Sequence, residues 1–334
     1  MTYKHIVLSG GGNIGLIMLG LLTETHKNKI WNIENIETIY SVSAGAVLGL
    51  ILCLKIDFDT VNEYILERPY DFLKVETSMI LKIISEKGLY DANTFKILFK
   101  PLLNSVDLTT EVTFKELYEY SKIDYNIILT ELDIFNSVSF SHKTHPDMKV
   151  IEAITGSCGV PVIFKPTIIN DKYYFDGGLF NNFPIELCKT ETCCNYDEII
   201  GFCKDCEDYY SETKVNNLLE YIVTIINKLL LSCSTNNIRL IKDKSLDNEC
   251  QIYFIKSQPV TFYSILNMAN HDYRKELFDT GVNIYNTYNV SDNSNIDLSN
   301  IDLSNINLSN VDLSNVDISN CNLENVIIND ISLD

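Results

Sequence analysis

Positive charge is what this sequence is short of. Lys and Arg total 26 against 45 Asp and Glu, a net charge of −19 at pH 7. No basic stripe that could track a phosphate backbone is present, so nucleic acid is excluded as a partner. The same deficit excludes electrostatic attraction to anionic bilayers as a main binding mode and leaves apolar contact as the route to any lipid surface. After Lys275 there is no Lys or Arg at all. Long hydrophobic runs are missing too. Nothing approaches the roughly 20 residues of a membrane-spanning helix, and the longest candidate, Ala46 to Leu54, has the length of a buried helix. The opening MTYKHIVLSGGG has neither the charged n-region nor the apolar h-region of a secretory signal. The expected location is therefore cytoplasmic, in solution or peripheral to a membrane. There the ten cysteines read as reduced thiols. Cys188, Cys193, Cys194, Cys203 and Cys206 cluster, and the last two form a CxxC, but the two spaced pairs typical of a zinc site are absent.

What is present is a core-forming chain of 334 residues, 46% of them hydrophobic, enough for one large domain or two small ones. Lys4–Ser9 reads as a buried strand, followed by a glycine-rich turn and a helix from Gly15. Ile36–Ser43 reads as a second strand leading into the helix AGAVLGLILCLK. Tyr125–Ser141 has the length and β-branched content of a strand pair. MKVIEAITGS reads as helix, and DKYYFDGG as a strand ending at Asp176. DEIIGFCK reads as a further strand. Strands alternating with helices predict an α/β fold around a mostly parallel sheet. Val215–Leu231 carries apolar residues at helical spacing; packing on the sheet and a membrane-facing lid are the two roles for such a stripe. The abundance of Asn, Ile, Lys and Tyr is what an AT-rich genome encodes, as in some large DNA viruses and protists.

Three segments carry chemistry. In LSGGGNIGLIMLG, Gly10, Gly12 and Gly15 satisfy GxGxxG between a strand and a helix. That is a dinucleotide fingerprint, or a loop whose free amides meet another anion. The acidic residue that should end the next strand is not there: Glu34 and Glu37 precede it, and it ends in YSVSAG. In that second segment Ser43 stands at a strand-to-helix turn, with Ser41 where a nucleophile elbow has its first glycine and with Ala44 and Gly45 after it. The third segment, YYFDGGLFNNFP, puts Asp176 at a strand end before Gly177 and Gly178. None of the five histidines sits in a hydrolase-like motif; His142 and His145, in SHKTHPD, are expected to be exposed.

The order of glycine loop, serine elbow and DGG resembles the patatin-like phospholipases. So do GLYD at Gly88–Asp91, PDMKVIEAITGSCGVPVIFKP, the DGG-x-x-x-N-x-P of DGGLFNNFP, and the closing KELFDTGVNIYN. The resemblance covers about residues 4–290. It implies a three-layer fold with a central, mostly parallel sheet and a Ser–Asp dyad, with Ser43 as nucleophile and Asp176 as general base. It implies an oxyanion hole from the amides of Gly10, Gly11 and Gly12, with Asn13, Gly15, Ser41, Gly45, Gly177 and Gly178 as supporting motif positions. No metal or cofactor is implied. The implied partner is a lipid or phospholipid substrate at a membrane or droplet surface. Two positions depart from the family pattern: Ser41 replaces glycine, and Ile14 stands where many members have Arg or Lys. A catalytically inactive, lipid-binding or interaction module is the alternative, and a nucleotide-binding oxidoreductase a more distant one.

From Asn295 the chain repeats every five residues, NIDLS NIDLS NINLS NVDLS NVDIS NCNLE NVIIN DISLD. A period of five is neither helical nor that of a strand. It resembles pentapeptide repeats, in which four units make one square turn of a right-handed β-helix. By that resemblance Leu298, Leu303, Leu308, Leu313, Ile318, Leu323, Ile328 and Leu333 would point inward. Ile296, Ile301, Ile306, Val311 and Val316 stand where the family usually has a small residue. A low-complexity, Asn-rich tail is the other reading. The expected domains are 1–290, a patatin-like acyl hydrolase, and 291–334, a repeat tail offering a surface to a protein partner.

Overall fold

In a computed structural model of the chain the described residues are 2–74, 83, 85–205, 215, 221, 222, 224–226, 228, 229, 232, 250–256, 264, 266–292, 296, 297, 316 and 317. They fall into two compact units, Met1–Val282 and Asn283–Asp334.

The first unit is built on strands β1 (His5–Leu8), β2 (Thr38–Val42), β3 (Gly88–Tyr90), β4 (Asp124–Glu131), β5 (Asn136–Phe140), β6 (Val162–Phe164), β7 (Thr167–Ile169), β8 (Lys172–Asp176), β9 (Ile199–Lys204) and β10 (Gln251–Ile255). The main sheet has the order β10-β9-β1-β2-β4-β8-β7, with β5 also on β4. The pairs β10·β9, β9·β1, β1·β2 and β2·β4 are parallel, and those of β4 with β5 and β8, and of β7 with β8, are antiparallel. The expected α/β architecture with a mostly parallel sheet is therefore present. β1, β2 and β4 are buried along their whole length, which is why they carry short apolar runs such as 6–8 and 127–129 rather than a clean alternation. β3 and β6 form a separate two-stranded ladder.

Helices α1 (Ile14–Lys27), α2 (Ala44–Cys53), α3 (Phe58–Glu67), α4 (Ala92–Asn104), α5 (Phe114–Ser121), α6 (Val150–Ser157), α7 (Gly178–Asn181), α8 (Ile185–Thr192) and α9 (His271–Asp292) fall between or after the strands. α1 and α2 are apolar on nearly every side and buried. Residues 221, 222, 224–226, 228 and 229 are helical. Tyr221, Ile222, Ile225 and Leu229 are exposed, so at these positions the expected packing of the apolar stripe on the sheet does not occur. Among the described residues no helix is long and apolar enough to cross a membrane.

One register decides where the chemistry can sit. β2 and β5 both pair with Ile127 and Ile128 of β4, so they occupy opposite edges of it. β5 and β8 both pair with Leu129 and Glu131, so they too are on opposite edges. β2 and β8 therefore share one edge of β4 and run toward each other. Val42 ends opposite Ile128, and Asp176 ends opposite Leu129, the next residue.

In the second unit, Ile296–Asp297 and Val316–Asp317 form a parallel pair with Ile296 opposite Val316. The offset is 20 residues, four five-residue units, as expected of one square turn. The residues expected to point inward, Leu298 to Leu333, lie outside the described residues, as do Ile301, Ile306 and Val311.

Candidate active site

The head-on meeting of β2 and β8 brings together the two groups singled out in the sequence. Ser43 is the junction between β2 and α2 and has φ 51°, ψ −119°, a conformation sparsely populated by residues with a side chain. The strain is held from three sides. The Ser43 amide donates to Ser157 Oγ at 2.8 Å, and the Ser157 hydroxyl donates to the Ile128 carbonyl at 2.6 Å. The Ser43 carbonyl accepts from Ala46 and Val47 and starts the helix. A Cβ on Gly45 would stand 2.6 Å from the Leu8 carbonyl and 2.7 Å from that of Ser9, so only glycine lets α2 rise this close to β1.

The Ser43 side chain stands beside the Asp176 carboxylate, which is buried, and favours its ionised form. Burial pushes the Asp176 pKa up to about 6, against the opposing pulls of the Ser43 hydroxyl, the Gly178 amide and the Lys204 charge. Gly178 N–H donates to Oδ1 at 2.8 Å, and the Thr130 hydroxyl donates to the Asp176 carbonyl at 2.9 Å. Gly177 packs directly on the Ile128 carbonyl. Cys158 is buried beside Ser43 and Asp176, and burial pushes its thiol well above the ordinary range, so it faces them as a neutral group.

The glycine loop lies alongside. Leu8 pairs with Ser41, which puts Gly10 level with Ser43, and a Cβ on Gly10 would stand 3.1 Å from the Ser43 Cβ. The three expected oxyanion donors are not equivalent. Gly10 N–H donates to the Asn182 carbonyl at 3.3 Å and is committed. Gly11 and Gly12, the latter at φ 62°, have no backbone partner for their N–H groups among the described residues and sit just ahead of α1, where amides favour negative charge.

Of the supporting positions, Gly15 faces Ala44 across the α1–α2 contact. Asn13 donates to the Tyr273 hydroxyl at 2.7 Å and ties the loop to α9. The fully buried Ser41 donates to the Asn126 carbonyl at 3.1 Å, a structural use for the hydroxyl that replaces glycine.

Asn182 was not singled out, although it is the Asn of DGG-x-x-x-N-x-P. Its side-chain amide donates to the Gly10 carbonyl at 3.4 Å while its own carbonyl accepts from Gly10, so it clasps the loop from both sides. Lys204, at the end of β9, is the other unanticipated residue. Its backbone N–H donates to Ser9 Oγ at 2.8 Å, and its stem runs beside Gly11.

The histidines are engaged elsewhere. His142 and His145, expected to be exposed, are partly buried: His142 stacks on Tyr118 at 3.7 Å, and His145 stacks on Phe140 at 3.8 Å. The apolar ring faces find a better partner in a neighbouring aromatic than in water. His5 bonds Thr38, His26 packs on Trp31 and Phe58, and His271 pairs with Glu67 and Asp272. Cys188, Cys203 and Cys250 are buried in the core, and Cys206 lies outside the described residues. Among the described residues no group of His, Cys, Asp and Glu could hold a metal ion.

The chain is 32% identical over 196 residues to the probable lipid hydrolase 463L of Invertebrate iridescent virus 6, a match taking in 55% of this chain and 63% of the viral protein. It is 24% identical over 225 residues to triacylglycerol lipase 4 of Saccharomyces cerevisiae, across 59% of this chain and 23% of the yeast enzyme. The chain thus spans less than two thirds of the length of either. VipD of Legionella pneumophila superposes with a TM-score of 0.45 at 16% identity, over 84% of this chain and 67% of that one. Residues 294–330 match eight copies of the pentapeptide repeat. Residues 6–189, just over half of the chain and including Ser43 and Asp176, match the model of the patatin-like phospholipases, and the chain belongs to that family.

Proposed function

We propose that this protein hydrolyses carboxylic esters of lipids through a Ser43–Asp176 dyad and an acyl-enzyme. The observation that carries the reading is the strained Ser43 standing against a buried Asp176 whose pKa is pushed up to about 6. A serine hydroxyl is a poor nucleophile until a base takes its proton, and a carboxylate of raised pKa is a suitable base near neutrality. In the first half-reaction Ser43 Oγ attacks the ester carbonyl carbon as Asp176 accepts the hydroxyl proton. The negative oxygen of the tetrahedral intermediate is held by the amides of Gly11 and Gly12. Collapse breaks the bond to the alcohol, which leaves with the proton from Asp176. In the second half a water attacks the acyl-Ser43 carbonyl and gives its proton to Asp176; the acyl–Oγ bond then breaks, Asp176 returns the proton to Ser43 Oγ, and the fatty acid departs. No metal or cofactor enters either half.

The named relatives, one a viral lipid hydrolase and one a triacylglycerol lipase, support a lipid ester as substrate. We assign the chemistry to residues 1–290 and read 291–334 as a surface for a protein partner. The test of the dyad is labelling with a fluorophosphonate, which captures activated serines. The label is expected on Ser43, and Ser43→Ala is expected to lose both label and esterase turnover. Labelling that persists in the alanine variant would overturn the assignment.

A further inference from the structure

We infer that the end of the sheet above the dyad, formed by the β4–β5 hairpin tip and the β7–β8 turn, seats the protein on a neutral lipid surface by apolar insertion. The inference rests on the lipid-hydrolase reading for its occupant and on the register for its geometry. Leu132 N–H donates to the Tyr173 carbonyl, continuing the β4–β8 ladder, and Tyr173 pairs with Ile168. Leu132, Tyr173 and Ile168 therefore form one row across three strands, three residues beyond Asp176 on β8, or roughly 10 Å. The tip, Leu132 to Phe135, stands farther out still, between Glu131 and its partner Asn136.

Besides residues 215–229, this end is where exposed large apolar side chains gather among the described residues. Leu132 is 47% exposed, Ile134 59%, Phe135 57% and Ile168 57%. Outside residues 215–229, six large apolar or aromatic side chains are exposed among the described residues, and these are four of them. Phe135 has φ 48°, a tip position where Asn or Gly costs least, yet a large apolar ring stands there facing water. The same ring meets Phe180 edge-on at 5.0 Å and lies 6.2 Å from Phe175. Phe175 precedes Asp176, and Phe180 belongs to α7, which begins at Gly178. Through Phe175 and Phe180 the apolar surface reaches the chain on both sides of Asp176. The net charge of −19 leaves insertion, not charge attraction, as the means of attachment.

The experiment is flotation of the full chain with phosphatidylcholine vesicles, for the wild type, the double variant Ile134→Ser/Phe135→Asn, and Ile168→Ser. Partition into vesicles is expected to fall on the order of 10- to 100-fold in the double variant and less in Ile168→Ser. Thermal unfolding and turnover of a soluble short-chain ester should be unchanged, and wild-type binding should resist added salt. Undiminished flotation of the double variant would overturn the proposal. So would a wild-type dimer that becomes monomeric in the variant with flotation intact, because the surface would then belong to a second copy. If the wild type turns over no ester while the variants lose flotation, the hydrolase reading fails and the lipid seat stands.

Discussion

At the scale of the residue, Asp176 is the group whose environment matters most. Its pKa is raised from 3.8 to about 6 by burial. Between those values the folded chain keeps a proton that the unfolded chain releases, so ionising Asp176 destabilises the fold as pH rises through that window. The base must be ionised to accept the Ser43 proton. Turnover of a soluble ester is therefore expected to rise with pH through about 6 and then level off, a profile measured as kcat/KM against pH. Asp176→Asn keeps the acceptor for Gly178 N–H but removes the proton acceptor. Turnover should fall by roughly 100-fold or more, while the thermal midpoint above pH 7 should hold or rise, since a buried charge is gone. A variant that stays near wild-type turnover would move the general base to another group.

At the scale of the element, the elbow depends on how closely α2 approaches β1. Gly45→Ala puts a methyl against two carbonyls that have no room to give, so α2 must shift outward and carry Ser43 with it. Overpacking of this kind costs about 1–3 kcal/mol. Both the thermal midpoint and esterase turnover are expected to fall, and a variant that keeps both would show that the helix can move without disturbing the nucleophile. Ser157 works from the other side. Its hydroxyl joins the Ser43 amide to the Ile128 carbonyl, tying the turn after α6 to the strand junction where β2 and β8 meet.

At the scale of the whole molecule, every dyad and oxyanion group lies within Met1–Val282, and the repeats lie beyond it. Removing residues 295–334 is expected to leave soluble-ester turnover and the unfolding of the remaining chain unchanged, because none of the removed residues supplies chemistry. Paired turnover and thermal scans of full-length and shortened chains check this. A shortened chain that stays folded but inactive would give the tail a part in shaping the site.

The local elements were legible in the sequence because their causes are local. Apolar runs made β1, β2 and β4, glycines and small residues marked the turns, and the strand ends carrying Ser43 and Asp176 could be read from the motifs. A five-residue period announced the repeats, and one parallel pair offset by four units is what that period requires. Tertiary structure alone decided the rest. The antiparallel entry of β8 onto the edge left open by β2 brought two distant strand ends, and with them Ser43 and Asp176, together. Burial, which no local pattern specifies, set the proton affinity of Asp176. The Gly10 amide was drawn to the Asn182 carbonyl, and His142 and His145 turned onto aromatic faces. Lys204 reached the glycine loop from the end of β9. In each case the partner comes from a distant part of the chain. Propensity and spacing report what a segment favours alone, whereas hydrogen-bond partners and desolvation depend on which segments the fold brings together.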